Sequence, residues 1–181
     1  VSFAVLGPEE RCTGESARRM GDEFVFQELA GKNIEQLSHH GVRKIVTHCP
    51  HCLNSLRQDY PQFGGQYEVV HHTQLLTELT ADGQLPKPQG NAAELVTYHD
   101  PCYLARVGGV SEPPRELVQI TLGTNNQLLE MPRSREQTAC CGAGGGRMWF
   151  DDPVEERVGS SRVDEALATG AETVAVSCPF C

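Results

Sequence analysis

One pattern occurs twice in this chain. Gly41-Val-Arg-Lys-Ile-Val-Thr-His-Cys49-Pro-His-Cys52 aligns with Gly170-Ala-Glu-Thr-Val-Ala-Val-Ser-Cys178-Pro-Phe-Cys181, 129 residues further on. A second match, at an offset of 128, sets Arg11-Cys12-Thr13-Gly14 and Arg19-Met20 against Ala139-Cys140-Cys141-Gly142 and Arg147-Met148. Two matches at nearly one offset read as two copies of a single unit. The first copy is expected over 1–83 and the second over 94–181, joined by a linker at 84–93 within a Gly/Pro-rich stretch.

The repeat accounts for all eight cysteines. The second copy carries Cys102, Cys140, Cys141, Cys178 and Cys181, spaced C-x37-CC-x36-C-x2-C; the first has Cys12, Cys49 and Cys52, with Thr13 standing where the second has Cys141. The counterpart of Cys102 falls before Val1, so the chain is expected to be a piece of a longer protein.

Each Cys-Pro-x-Cys follows a short β-branched run, which predicts strands at Val42–Thr47 and before Cys178. Further strands are predicted at Val1–Leu6, Tyr67–Val70, Leu95–Tyr98 and Gln127–Met131. Helices are predicted from Ser16 to about His40, broken near Gly31, with Met20, Phe24, Leu29, Ile34 and Leu37 buried. Others follow Cys49-Pro50 as far as Pro61, run through Leu75, Leu76 and Leu79, and extend from Pro113 to Leu122. The last begins at Asp152-Pro153-Val154-Glu155, buries Val154, Val158, Val163 and Leu167, and ends at Gly170. Strands alternating with helices give an α/β fold of mainly parallel sheets in two pseudo-symmetric repeats. The cysteines then sit at strand C-terminal ends and the turns after them, where such sheets place ligands.

Fifteen basic residues against 24 acidic ones leave a net charge of −9, which argues against nucleic acid or an anionic membrane as main partner. No apolar run is long enough to span a bilayer, and Val1–Glu10 lacks a basic start followed by an apolar stretch.

Three chemistries fit the cysteines. Four thiolates hold an ordinary iron–sulfur cluster, and five in one unit exceed what one tetrahedral zinc uses. Cys140 and Cys141, being adjacent, suit neighbouring irons, and Gly142, Gly144, Gly145 and Gly146 let backbone N–H groups approach sulfur. A strand, Cys49-Pro-His-Cys52 and a helix also make a thioredoxin-like site for thiol–disulfide exchange without metal. The two Cys-x-x-Cys pairs would make a four-thiolate structural zinc site, leaving the other four cysteines unexplained.

The segments Thr47-His-Cys-Pro-His-Cys-Leu-Asn54, Tyr98-His-Asp-Pro-Cys-Tyr-Leu104 and Cys140-Cys-Gly-Ala-Gly-Gly-Gly-Arg-Met-Trp149 resemble the cysteine-rich CCG domain of heterodisulfide reductase. The glycolate oxidase iron–sulfur subunit and lactate-utilisation proteins share that pattern. The resemblance is greatest to heterodisulfide-reductase-related iron–sulfur oxidoreductases that pass electrons from electron transfer flavoprotein to menaquinone. It implies a noncubane 4Fe-4S cluster on Cys102, Cys140, Cys141, Cys178 and Cys181. A second 4Fe-4S cluster would use Cys12, Cys49, Cys52 and a cysteine upstream, a cubane because Thr13 departs from the Cys-Cys pattern. That departure favours electron relay over disulfide cleavage. The resemblance also implies a flavoprotein donor, a quinone or disulfide acceptor, and work in the cytoplasm or at its face of the membrane.

Other residues are candidates for the surroundings. Arg19 and Arg147 hold equivalent places, and with Gly142 they are expected against the clusters; Arg18, Arg106 and Arg115 are weaker candidates. His48, His51 and His99 flank cysteine motifs and suit hydrogen-bond donation to the ligands. The pairs His39-His40 and His71-His72 are expected at the surface or at helix ends, and Trp149 packed on the sheet.

Overall fold

The computed structural model describes residues 1–86, 95–123 and 127–181; most of the expected linker at 84–93 lies outside them. The described residues form two small parallel sheets with helices between the strands.

Helices α1 (Glu15–Arg19) and α2 (Glu23–His39) open the fold. The break lies at Gly21, whose φ of 91° no β-carbon residue adopts easily, while α2 runs through Gly31. Asp22 caps α2 by accepting from the Val25 N–H at 3.0 Å. Because the break resets the helical phase, α2 buries Phe26, Ala30, Asn33 and Leu37, while Met20 and Phe24 are exposed, contrary to expectation.

Strand β1 (Lys44–Thr47) pairs in parallel with β2 (Glu68–His71), register Lys44 to Glu68. Between them α3 (Pro50–Asn54) passes into a π-helical turn at Ser55–Asp59 and a 3-10 turn at Tyr60–Phe63, so Pro61 lies inside the last turn and Gly64 ends it. Helix α4 (His72–Ala81) follows directly. In the second sheet, β3 (Val96–His99) is central, flanked in parallel by β4 (Leu128–Leu129) and β5 (Thr173–Val176). Helix α5 (Glu112–Leu122) leads to β4, and α6 (Ser160–Ala168) leads to β5.

Phe26, Ala30, Leu53, Leu56, Tyr60 and Val69 form the main core, and Leu104 and Val110 from the other half join it. The halves also touch where Thr77 of α4 donates to the Pro113 carbonyl of α5 at 3.2 Å.

Four further expectations fail. Val1–Leu6 forms no strand among the described residues, and Val1, Phe3 and Val5 are exposed: an apolar run becomes a strand only when it finds a paired edge. The strand at Gln127–Met131 is only two residues long. The helix expected at Asp152 is a 3-10 turn over Val154–Glu156, separated from α6, and Val154, Val158, Val163 and Leu167 are exposed. A β-carbon at Gly159 would lie 2.4 Å from the Cys141 carbonyl oxygen, so close approach to the cysteine loop interrupts that helix. Trp149 is exposed, not packed on the sheet.

Candidate metal centre

Cys49, Cys102 and Cys178 each lie two or three residues beyond a parallel strand, after β1, β3 and β5. Strand ends thus aim three cysteine segments into one region.

In the second half the five thiols touch in series. Cys102 interacts with Cys140, Cys140 with Cys141, Cys141 with Cys181 at 3.3 Å between sulfurs, and Cys181 with Cys178. The Gly142 N–H donates to Cys140 Sγ at 3.3 Å. Hydrogen bonds from Cys102 and then Cys141 hold Cys140 down to about 2, and those from Cys181 and then His51 bring Cys178 down to about 4. The thiols that supply these bonds, Cys102 and Cys181, are pushed up instead. Five crowded thiols cannot all ionise without a cation among them.

Charged groups hold this assembly. Asp100, fully buried, takes Arg115 in a two-pronged pair at 2.7 and 2.6 Å, and Arg115 also pairs with Glu130. Asp100 further accepts from the Arg135 N–H at 2.7 Å, and its carbonyl accepts from Thr138 Oγ1 at 2.9 Å. Arg106 donates to the Glu136 and Thr138 carbonyls. The segments carrying Cys102 and Cys140 are thereby tied together; Arg106 and Arg115 serve this purpose and do not meet sulfur.

The first half repeats part of this plan with neutral groups. The Gly14 N–H donates to Cys12 Sγ at 3.4 Å, as Gly142 does to Cys140. Asn33 Nδ2 donates to the Cys12 carbonyl at 2.9 Å, and Tyr60 donates to the Thr13 carbonyl at 3.1 Å. Thr13 Oγ1 donates to Cys52 Sγ at 3.4 Å, so this hydroxyl supports a thiol where the second half has another thiol. Cys52, hydrogen-bonded to Cys49, is pushed up, and Cys49 is lowered by the same contact. Cys12 and Cys52 face a cleft of about 930 Å³.

Two histidines, His51 and His71, join the two groups, and a third, His99, lies beside the second. His51, buried, sets Nδ1 3.1 Å from Glu15, stacks on Tyr103 at 4.1 Å and interacts with the Cys178 thiol. A side chain from the first Cys-Pro-x-Cys thus reaches a cysteine of the second. A β-carbon on Gly144 would lie 2.6 Å from the His51 ring, so part of the glycine run serves this contact. His71 stands at a helix end, as expected, capping α4, and is fully buried there: its Nε2 donates to the His48 carbonyl at 3.2 Å and it bonds the Ser177 backbone, the residues just before Cys49 and Cys178. Burial, then His72, lowers it to about 4. His99 accepts at Nδ1 from Arg162 at 2.8 Å, while its buried Nε2 has no hydrogen-bond partner. His99, Cys141 and Cys181 offer ligand atoms within 4.8 Å of one another. Burial, then Arg162, lowers His99 to about 4.

Arg147 borders a cleft of about 1000 Å³ that Cys141 and Cys181 also line, but its guanidinium pairs with Asp152 at 2.8 Å. Arg19 pairs with Glu15 and Asp59, and Arg18 with Glu23 and Asp59. His48 is exposed. Sequence reasoning passed over Glu15, Asp100 and Arg162, whose partners lie 36, 15 and 63 positions away. Only Asp100, beside Pro101-Cys102, carried a local signal.

The donor set fits an iron–sulfur group: clustered thiols, N–H groups turned toward sulfur, and beside two of the thiols a histidine with an orphaned buried nitrogen. No helix among the described residues is long and apolar enough to cross a membrane.

The chain is similar to known proteins. The chain is 46% identical, over its whole length, to the probable iron-sulfur-binding oxidoreductase FadF of Bacillus subtilis, covering 25% of that protein. It is 42% identical to the EtfAB:quinone oxidoreductase of Syntrophomonas wolfei, covering 26% of it. With a subunit of the dihydromethanophenazine:CoB–CoM heterodisulfide reductase of Methanosarcina barkeri the identity is 37%, over 45% of that subunit. The chain therefore spans between a quarter and a half of these relatives. The family model for the cysteine-rich CCG domain matches residues 1–57 and 96–181, and the chain belongs to that family.

Proposed function

We propose that this chain is an iron–sulfur electron-transfer region of an oxidoreductase, with two 4Fe-4S clusters built on two copies of one unit, 1–83 and 94–181. The observation that carries the reading is the unbroken series of five thiols from Cys102 to Cys178. Those five would hold a noncubane cluster. Cys12, Cys49 and Cys52 would supply three of the four ligands of a cubane, with Thr13, which stands where the other unit has Cys141, giving a hydrogen bond to Cys52. Such a cluster, when bound, takes up and releases single electrons at a potential tuned by charge and hydrogen bonding.

The chain's own residues do the tuning. Gly14 and Gly142 turn N–H groups toward cysteine sulfur, which favours the reduced, more negative state. His51 carries one polar contact from the first cysteine motif to the second. The relatives' names support a flavoprotein donor, such as electron transfer flavoprotein, and a quinone or disulfide acceptor. All eight cysteines are free, as a reducing cytoplasmic setting would keep them, at or away from a membrane face.

The lowered Cys49 and raised Cys52 also suit a metal-free thiol–disulfide site. Against it, Cys49 is only 5% exposed, which denies a disulfide substrate access to the attacking sulfur. Iron and acid-labile sulfide, measured after anaerobic reconstitution, separate the readings. About eight of each per chain supports two clusters. One zinc supports the structural site, and no metal with a reversible Cys49–Cys52 disulfide supports exchange chemistry.

A further inference from the structure

His99 presents two facts that together fix its chemistry. Arg162 Nε donates to His99 Nδ1 at 2.8 Å, with both side chains buried. Arg162 is itself held by the Arg133 carbonyl and by Glu165, each at 2.7 Å from its NH1 nitrogen. A guanidinium in a protein stays protonated and can only donate, so Nδ1 must offer its lone pair. A neutral imidazole then carries its proton on Nε2. That Nε2 is buried and has no hydrogen-bond partner among the described residues, and a ring nitrogen of His99 lies within 4.8 Å of Cys141 and Cys181 Sγ.

We propose that His99 is a neutral N–H donor to the sulfur of the second cysteine group, its tautomer fixed by Arg162 as a positioning residue, and that it is not a metal ligand. The proposal rests on the iron–sulfur reading above. The proximity of three ligand atoms suggests the opposite role, a His-Cys-Cys metal site. Ligation through Nε2, however, needs a lone pair there, and the Arg162 bond places the proton on that nitrogen. An N–H left unsatisfied in a buried wall is costly unless an acceptor faces it. Anionic sulfur from Cys141 and Cys181, or sulfide they help hold, is that acceptor.

The test uses anaerobically reconstituted protein whose iron and sulfide have been counted first. Pulsed EPR of the signal that Cys141→Ser abolishes should show only weak nitrogen coupling, with an exchangeable proton nearby. His99→Phe should keep the iron, shift the midpoint potential of that signal downward and leave the other signal unmoved. Arg162→Lys, which can still donate to Nδ1, should keep the wild-type potential. Strong nitrogen coupling in the wild type overturns the proposal, as does iron loss from a folded His99→Phe or an unshifted potential. If that variant does not fold, the wild-type nitrogen coupling alone decides. Absence of iron from the wild-type protein removes the iron–sulfur reading and this inference with it, whereas failure of the coupling or potential removes only the inference.

Discussion

In the first half, the segment carrying Cys12 and Thr13 hangs from neutral partners, Asn33 and Tyr60. In the second half, the segments carrying Cys102 and Cys140 hang from Asp100, Arg115 and Arg106. The half with five thiols is thus the one braced by guanidinium groups, that of Arg115 buried, with Arg162 behind His99 as a further cation. Crowded thiolates raise the local negative charge, and fixed cations and N–H donors offset it. Arg115 and Arg162 are themselves paired with carboxylates, Asp100, Glu130 and Glu165, as Arg18 and Arg19 of the first half are with Glu15, Glu23 and Asp59, so the halves differ in what those pairs hold. The two cysteine groups therefore lie in different surroundings.

The largest effect should come from breaking the charged brace. Asp100→Asn leaves Arg115 buried with only Glu130 and should cost about 3 kcal/mol of stability. A urea midpoint that moves little would show that the pair braces nothing.

The joint between the halves should respond to acid. His71 is neutral in the fold, at about 4 against an ordinary 6.5, so only the unfolded chain gains a proton between those values. Its contribution is complete above pH 6.5 and is lost as the pH falls toward 4, on the order of 3 kcal/mol in all. His71→Asn, which can still cap α4, should flatten the fall in denaturation midpoint between pH 7 and 4. An equally steep fall would place the acid sensitivity elsewhere.

The smallest effect belongs to the neutral brace. Tyr60→Phe removes the hydrogen bond to the Thr13 carbonyl and the one that the hydroxyl accepts from Asn33 Nδ2, and should cost about 2 kcal/mol. A loss equal to that of Asp100→Asn would erase the contrast between the halves.

The placement of the cysteines was legible because strand, Cys-Pro-x-Cys and following turn are local patterns that write themselves into the chain. The alternation of strands and helices was legible for the same reason. Val1–Leu6 misled because β-branched residues state a preference and a strand needs a partner. Met20 and Phe24 misled because Gly21 resets the helical phase. Arg19 and Arg147 look alike in sequence, yet Asp59 and Asp152 decide where each guanidinium goes. His71 was legible as a helix-end residue, but nothing nearby in sequence announces that the carbonyl of His48 and the backbone of Ser177 meet around it.

The central claim is that the eight cysteines form two distinct iron–sulfur sites. EPR of reconstituted Cys12→Ser and Cys141→Ser tests it most directly. The account predicts that each variant disturbs a different signal, with Cys141→Ser erasing the second and sparing the first. Loss of the same signal, or of one shared metal, in both variants would contradict it.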